Sequence, residues 1–169
     1  TKLWEAPSGQ GYGSLAVVGG KLYVHDRQGG GLPAANERIR CLDAVTGASR
    51  WEHSYTADYT KMDQGYANGP RATVTVERDR VYAVGAVGDF LCVQAPESPG
   101  ARPRELWRHD LLAEFGGKSP QWGIACSALI EGDLVIVQPG GRSGSVAAFD
   151  KLTGQLRWQA GDNPSGYSS

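Results

Sequence analysis

Few residues in this chain are of a type that does nucleophilic, acid–base or metal chemistry, and their spacing argues against a compact site. The three cysteines, Cys41, Cys92 and Cys126, show no metal-ligand spacing, and an odd number cannot all pair internally. They read as small buried thiols. Of the three histidines, His25, His53 and His109, the last two each follow a tryptophan (Trp51, Trp107) by two residues. Ala160 holds the same place after Trp158, so the recurrence follows a repeat and not a metal site. The glycine-rich stretch RQGGGLPAANE, Arg27 to Glu37, lacks the Gly-Lys-Ser/Thr ending of a phosphate loop and follows no strand–helix pattern. It reads as an enlarged loop between two hairpin strands.

Bulk properties narrow the class. The 169 residues carry 17 basic and 18 acidic side chains, a net charge of −1, which gives no electrostatic case for nucleic acid or an anionic membrane. No apolar run approaches the roughly 18 residues of a membrane span. Twenty-four glycines and nine prolines suit many short strands joined by tight turns. The opening TKLWEAPSGQ has neither a basic n-region nor an apolar h-region.

The elements that must position any site come from an internal repeat. Trp4, Trp51, Trp107 and Trp158 close the segments LW, SRW, ELW and LRW, at intervals of 47, 56 and 51 residues. Before each of the last three comes the same order of short strands: SLAVV, KLYVH, RIRCLD, SRWEH; then ATVTVE, RVYAVG, DFLCVQ, ELWRH; then SALIE, LVIVQ, SVAAFD, LRWQA. No unit sustains a 3.6-residue apolar period, although LLAEF, 111–115, could form one helical turn. A four-stranded antiparallel sheet cannot bury both faces alone, whereas radial stacking of such sheets does. The expected fold is therefore all-β: a β-propeller segment of about three four-stranded antiparallel blades.

One phrase is written twice, CLDAVTGASRW (41–51) and AFDKLTGQLRW (148–158). Asp43 and Asp150 stand at a strand end, where a carboxylate accepts turn N–H groups; Thr46 and Thr153 do so more weakly. Gly47 and Gly154 supply a positive φ for the reversal. Trp51 and Trp158, with Trp107 in the middle unit, then bring a large ring against the neighbouring sheet. All of this is folding chemistry.

The pattern Ala-x-Asp-x-x-Thr-Gly-x-x-x-Trp resembles the repeat signature of pyrroloquinoline quinone (PQQ)-type β-propellers, the tryptophan-docking motif. AFDKLTGQLRW matches it in full and CLDAVTGASRW with Cys41 in the Ala place, whereas the middle unit keeps only Cys92 and Trp107 and has Gln94 for the Asp. The resemblance implies a ring of about seven or eight blades. It also implies either a quinone-dependent alcohol-type dehydrogenase or a non-catalytic propeller of the BamB-like assembly type. PQQ with calcium enters by this resemblance alone; there is no Cys-Cys pair of the methanol-dehydrogenase type. A periplasmic or extracellular location is likewise implied only by the resemblance.

The expected organisation is a last strand of a preceding blade (1–10), three blades (11–55, 69–110, 123–161) and the start of another (162–169). The chain is then part of a longer propeller, or partial rings self-associate to close a circle. The connectors between blades, YTADYTKMDQGYANGP and DLLAEFGGKSPQWG, are long and rich in aromatic and polar groups. Both emerge on one face, which makes Asp58, Tyr59, Tyr66, Lys118 and Trp122 a candidate interaction surface. The expected function is a non-catalytic scaffold that binds a protein partner or ligand, or the remaining blades, with no catalytic and no metal-ligating residues assigned.

Overall fold

The computed structural model describes residues 1–29, 34–62, 69–98 and 100–167. Among the described residues twelve strands form three four-stranded antiparallel sheets, each in simple sequential order. Blade 1 comprises β1 (Ala16–Val18), β2 (Lys21–Arg27), β3 (Ala34–Asp43) and β4 (Ser49–Asp58). Blade 2 comprises β5 (Thr75–Glu77), β6 (Arg80–Val84), β7 (Asp89–Gln94) and β8 (Arg104–Asp110). Blade 3 comprises β9 (Leu129–Glu131), β10 (Leu134–Val137), β11 (Val146–Asp150) and β12 (Leu156–Ala160). A single α-helical turn, α1 (Leu111–Phe115), follows β8, capped by the Asp110 side chain and closed by left-handed Gly116.

The middle blade shows why the sheets stack. Along β6, Val81 and Ala83 pack with blade 1 residues such as Ile39 and Trp51, whereas Tyr82 and Val84 pack with Val135 and Phe149 of blade 3. In β7 the same alternation sends Leu91 and Val93 one way and Phe90 and Cys92 the other. Strands buried on both faces read as near-continuous apolar runs, which is how RVYAV and DFLCVQ read.

A row of three residues recurs across strands two to four of each blade. Tyr23 pairs with Cys41 and Cys41 with Trp51; Tyr82 with Cys92 and Cys92 with Trp107; Ile136 with Ala148 and Ala148 with Trp158. The central residue is small because an aromatic ring leans over it: the Tyr23–Trp51 centroids are 6.0 Å apart and the Tyr82–Trp107 centroids 5.9 Å. Directly after each small residue the register shifts, at Cys41/Leu42, Cys92/Val93 and Ala148/Phe149. This recurrent bulge turns the Trp-bearing strand, even in the blade whose turn has lost Asp, Thr and Gly.

Trp4, Trp51 and Trp107 dock forward onto the strand 3–4 turn of the next blade. The Trp107 indole donates to the Lys151 carbonyl (3.4 Å), as does the Tyr82 hydroxyl (3.1 Å). Trp4 donates to the equivalent Ala44 carbonyl at 3.2 Å. A Cβ on Gly154 would lie 2.6 Å from the Trp107 ring and one on Gly47 2.5 Å from the Trp4 ring. These two glycines therefore combine a positive φ (75° and 72°) with the room that a neighbouring blade's ring occupies. Trp51 packs instead against Ala95 and beside Pro96–Ser98, and is 8 % exposed. Trp158 meets no described turn and is 42 % exposed.

The expected strand limits shift in three places. The first strand of each blade is shorter than its apolar run, and in blades 1 and 2 the residues before it bond to the next blade. The Ser14 N–H donates to Thr73 Oγ1 and the Thr73 N–H to Ser127 Oγ, both at 3.0 Å, a forward ladder of equivalent positions. The glycine-rich loop is also shorter than expected, since Arg27 pairs with Glu37 and β3 begins at Ala34; its tip, 30–33, lies outside the described residues. Finally, residues 1–9 join no ladder, although Gln10 makes an isolated bridge with Arg27.

Docking and backbone strain separate experimentally. Gly154→Val should lower stability by about 3 kcal/mol, from the left-handed backbone and the displaced Trp107 ring. Gly132→Ala has the same backbone sign (φ 54°) but open space around it, and should cost only about 1 kcal/mol. Urea denaturation midpoints compare the two, and equal losses would remove the docking contribution. By the same assay Trp107→Ala should cost about 3–5 kcal/mol and exposed Trp158→Ala less than half of that.

Candidate functional site

The repeat-motif residues sit in two near-identical turns. Asp43 Oδ1 accepts from the Val45 and Thr46 N–H groups (3.0 and 2.9 Å) and the Thr46 hydroxyl (3.0 Å), while Oδ2 accepts from Arg50 at 2.6 Å. Asp150 repeats this with Leu152, Thr153 and Arg157 at 3.0, 2.9 and 2.7 Å. The turn N–H groups hold the Asp43 carboxyl below the usual range, and Arg157 heads the same effect at Asp150. Arg50 and Arg157, one residue before each tryptophan, are part of the device. These residues build turns and present no open site.

The most polar interior lies elsewhere, at the seam between blades 1 and 2 on the face where the blade connectors emerge. Glu37 on β3 is fully buried. Its Oε2 accepts from the Tyr55 hydroxyl (2.6 Å), and its Oε1 from the Tyr59 hydroxyl (2.6 Å) and the Ala86 N–H of the next blade (3.1 Å). His25 Nε2 lies 2.9 Å from the Tyr55 oxygen. Tyr55 has one proton, given to Glu37, so Nε2 is the protonated nitrogen of a neutral His25, and Nδ1 is left as an unpartnered acceptor. Arg108 stacks over Tyr55 at 4.8 Å, donates to Asp89 and reaches back to the Thr56 carbonyl at 2.9 Å. A Cβ on Gly85 would stand 2.4 Å from Glu37 Oε2, so the β6–β7 loop approaches the carboxylate only as glycine. The whole group clamps one blade to the next and leaves the carboxylate no path to a substrate.

The candidate interaction residues divide. Tyr59, expected to be exposed, is fully buried, because β4 runs on to Asp58 and its inward alternation (Trp51, Tyr55, Ala57) carries Tyr59 under the connector. Asp58 is exposed and caps the 3-10 turn Tyr59–Lys61 through the Thr60 N–H. Tyr66 lies outside the described residues. Lys118 lines an open groove with Gly116, Ser119, Arg142 and Asp162. Trp122 is 43 % exposed and lies beside Tyr167, the rings tilted by 33° with centroids 5.2 Å apart. The structure thus brings Lys118 and Trp122 to the blade 2–3 connector and leaves Asp58 on the blade 1–2 connector.

His53 and His109 both reach the following blade: His53 to Glu105 (3.0 Å), His109 to the Gly154 carbonyl (2.8 Å) and onto the Phe149 ring at 4.6 Å. Among the described residues no group of three or more His, Cys, Asp or Glu side chains is arranged to hold a metal ion. Cys41, Cys92 and Cys126 are free and buried.

Sequence inspection missed the Glu37 cluster, whose one visible trace was an acidic residue at an inward strand position. Burial lowers the His25 pKa to about 3, outweighing the adjacent Asp26 carboxylate. Below pH 6.5 the unfolded chain therefore takes up a proton that the folded chain refuses. Stability drops as pH falls from 6.5 towards 3, by at most about 1.4 kcal/mol per pH unit for this one group. Burial raises the Glu37 pKa, which opposes this trend above pH 4.5 because the folded state then binds its proton first. His25→Gln keeps a donor to Tyr55 without the titration, so its stability curve should flatten relative to wild type between pH 6.5 and 5. Parallel curves in urea titrations across that range would refute a neutral buried His25.

Comparison with known proteins follows this geometry. The chain resembles a europium-containing methanol dehydrogenase (TM-score 0.60, 19 % identity), covering 91 % of this chain and 25 % of that one. It also resembles the quinohemoprotein alcohol dehydrogenase from Comamonas testosteroni (TM-score 0.58, 19 % identity), covering 90 % and 21 %. The chain spans about a quarter of the length of these structures, and the likeness is one of fold. No curated protein matches it. A family profile described as outer membrane protein assembly factor BamB matches residues 1–118 and 35–168, together almost the whole chain. With its docked tryptophans and three stacked blades, the chain belongs to this PQQ-type β-propeller family.

Proposed function

We propose that this chain is a non-catalytic wall of a PQQ-like propeller, a scaffold whose connector face binds a protein partner. One observation carries the reading: Glu37, two of the histidines and the repeat aspartates hold blades together or fix turns. Glu37 is buried under Tyr55, Tyr59 and Ala86; His53 and His109 bridge to the next blade; Asp43 and Asp150 staple turns. The exposed residues left on the connector face, among them Asp58, Lys118 and Trp122, suit recognition. The family description, an assembly factor, supports a protein partner and a place outside the cytoplasm. No helix in the described structure is long and apolar enough to cross a membrane.

The second reading is a segment of a quinone-dependent alcohol dehydrogenase, favoured by the two fold matches. Titration with PQQ and calcium, followed by quinone absorbance and by dye reduction with short alcohols, decides between them. The scaffold reading expects neither saturable quinone binding nor turnover. Saturable binding with turnover would overturn it.

A further inference from the structure

The same topological position is built differently in blades 2 and 3. The β6–β7 loop is the short Gly85–Gly88, packed against the Glu37 cluster. The β10–β11 loop is longer, Gln138–Ser145, and arches over the start of the blade 2–3 connector. Its backbone touches that connector directly: a Cβ on Gly141 would meet the Phe115 carbonyl at 2.2 Å, and one on Gly117 the Gly140 carbonyl at 2.4 Å. On the other side Gly141 donates to Asn163 and Ser165 donates to Pro139, which holds the outgoing segment alongside. Three backbone segments therefore run together, and a solvent-open groove of about 440 Å³ lies between them.

Lys118 and Arg142 line this groove and, among the described residues, have no ion-pair or hydrogen-bond partner. Elsewhere Arg38, Arg50, Arg108, Lys151 and Arg157 each hold a carboxylate. Asp162 is the one carboxylate in the lining, so two cations stand against one anion. Both walls continue into exposed aromatics. Pro120 is two residues before Trp122 and Ser165 two before Tyr167, and the Tyr167 hydroxyl accepts from the Trp122 N–H at 3.0 Å. Unpaired cations beside an aromatic pair are features of a recognition surface.

We propose that this groove binds an extended acidic segment of a partner protein, with its carboxylates on Lys118 and Arg142 and an apolar side chain against Trp122 and Tyr167. This rests on the scaffold reading and names the chemistry of its partner. A groove of this volume is too large for one ion, and its open side admits a chain passing through. Charge complementarity selects acidic over basic or neutral segments and makes the contact salt-sensitive.

The test uses fluorescein-labelled ten-residue peptides that share one Phe and differ only in charge, read by anisotropy. The Asp/Glu-rich peptide should bind about tenfold tighter than the Ser/Gln peptide at low salt and lose that margin at high salt. Lys118→Glu with Arg142→Glu should abolish the preference, Trp122→Ala should weaken binding, and Asp162→Asn should tighten it. Arg102→Glu, an exposed change on the β7–β8 loop of blade 2, should leave it unchanged. Thermal melts confirm that each variant folds. No preference for the acidic peptide, or a preference that survives the double reversal, overturns the proposal. Tighter binding of the neutral or a basic peptide than of the acidic one would overturn the acidic partner and keep the scaffold, whereas quinone turnover in the earlier assay would overturn the scaffold itself.

Discussion

An indole laid on a glycine turn of the following sheet is the contact on which the other blade-to-blade contacts depend. It removes a large ring from water, and at Trp4 and Trp107 it pairs the indole N–H with a backbone carbonyl over a glycine whose Cβ would strike the ring. Everything upstream in the blade serves to bring the ring there. The Asp–Thr turn reverses the chain, the arginine before the ring locks the carboxylate, the bulge re-aims the strand, and a small residue opposite gives the tyrosine room to lean in. The middle blade shows which parts are essential. It has lost Asp, Thr and Gly and lengthened the turn, yet keeps the small residue, the bulge and the ring. What it accepts from Trp51 is a contact with Ala95 and its neighbours, without a glycine seat.

Because docking is directional, other contacts follow the same direction. The Ser14 N–H donates to the Thr73 hydroxyl and the Thr73 N–H to the Ser127 hydroxyl, a ladder that runs forward ahead of the first strands, and His53 and His109 run forward from the fourth strands. Apolar burial between sheets has no preferred register, whereas these polar contacts do. At the blade 1–2 seam the polar share is largest, and a buried carboxylate is tolerated because both oxygens are filled by donors from two blades. Removing a partner would leave a buried charge unsatisfied, so the cluster fixes the angle between these sheets more sharply than a greasy contact would.

The layout of blades was legible in the primary structure, since the tryptophans, the hairpin turns and the twofold phrase recur at fixed offsets. Asp43 and Asp150 could be placed in turns because an Asx turn is local; its donors are two and three residues away. What could not be read are contacts made across blades. Glu37 meets Ala86, and Gly47 meets Trp4, across dozens of residues with no local pattern. Tyr59 is hidden for a related reason: the fourth strand runs past the last repeat residue, and its inward alternation continues beyond it. The hydroxyls of Thr73 and Ser127, ahead of the first strands, serve the preceding sheet and not their own, which no local pattern signals.

Architecture and recognition thus divide along the blade. The half that carries the turns and rings is constrained by docking, where a single methyl would collide with an indole. At the other end the hairpin loops have no indole to receive, and their lengths differ. Gly85–Gly88 is pressed onto a buried carboxylate and forms a closed seam, whereas the longer Gln138–Ser145 lies against the connector and borders a groove with two unpaired cations beside exposed aromatics. One topological position therefore yields a clamp in one blade and a groove in the next. Variation at such loops changes what a propeller recognises without disturbing the rings that hold it together.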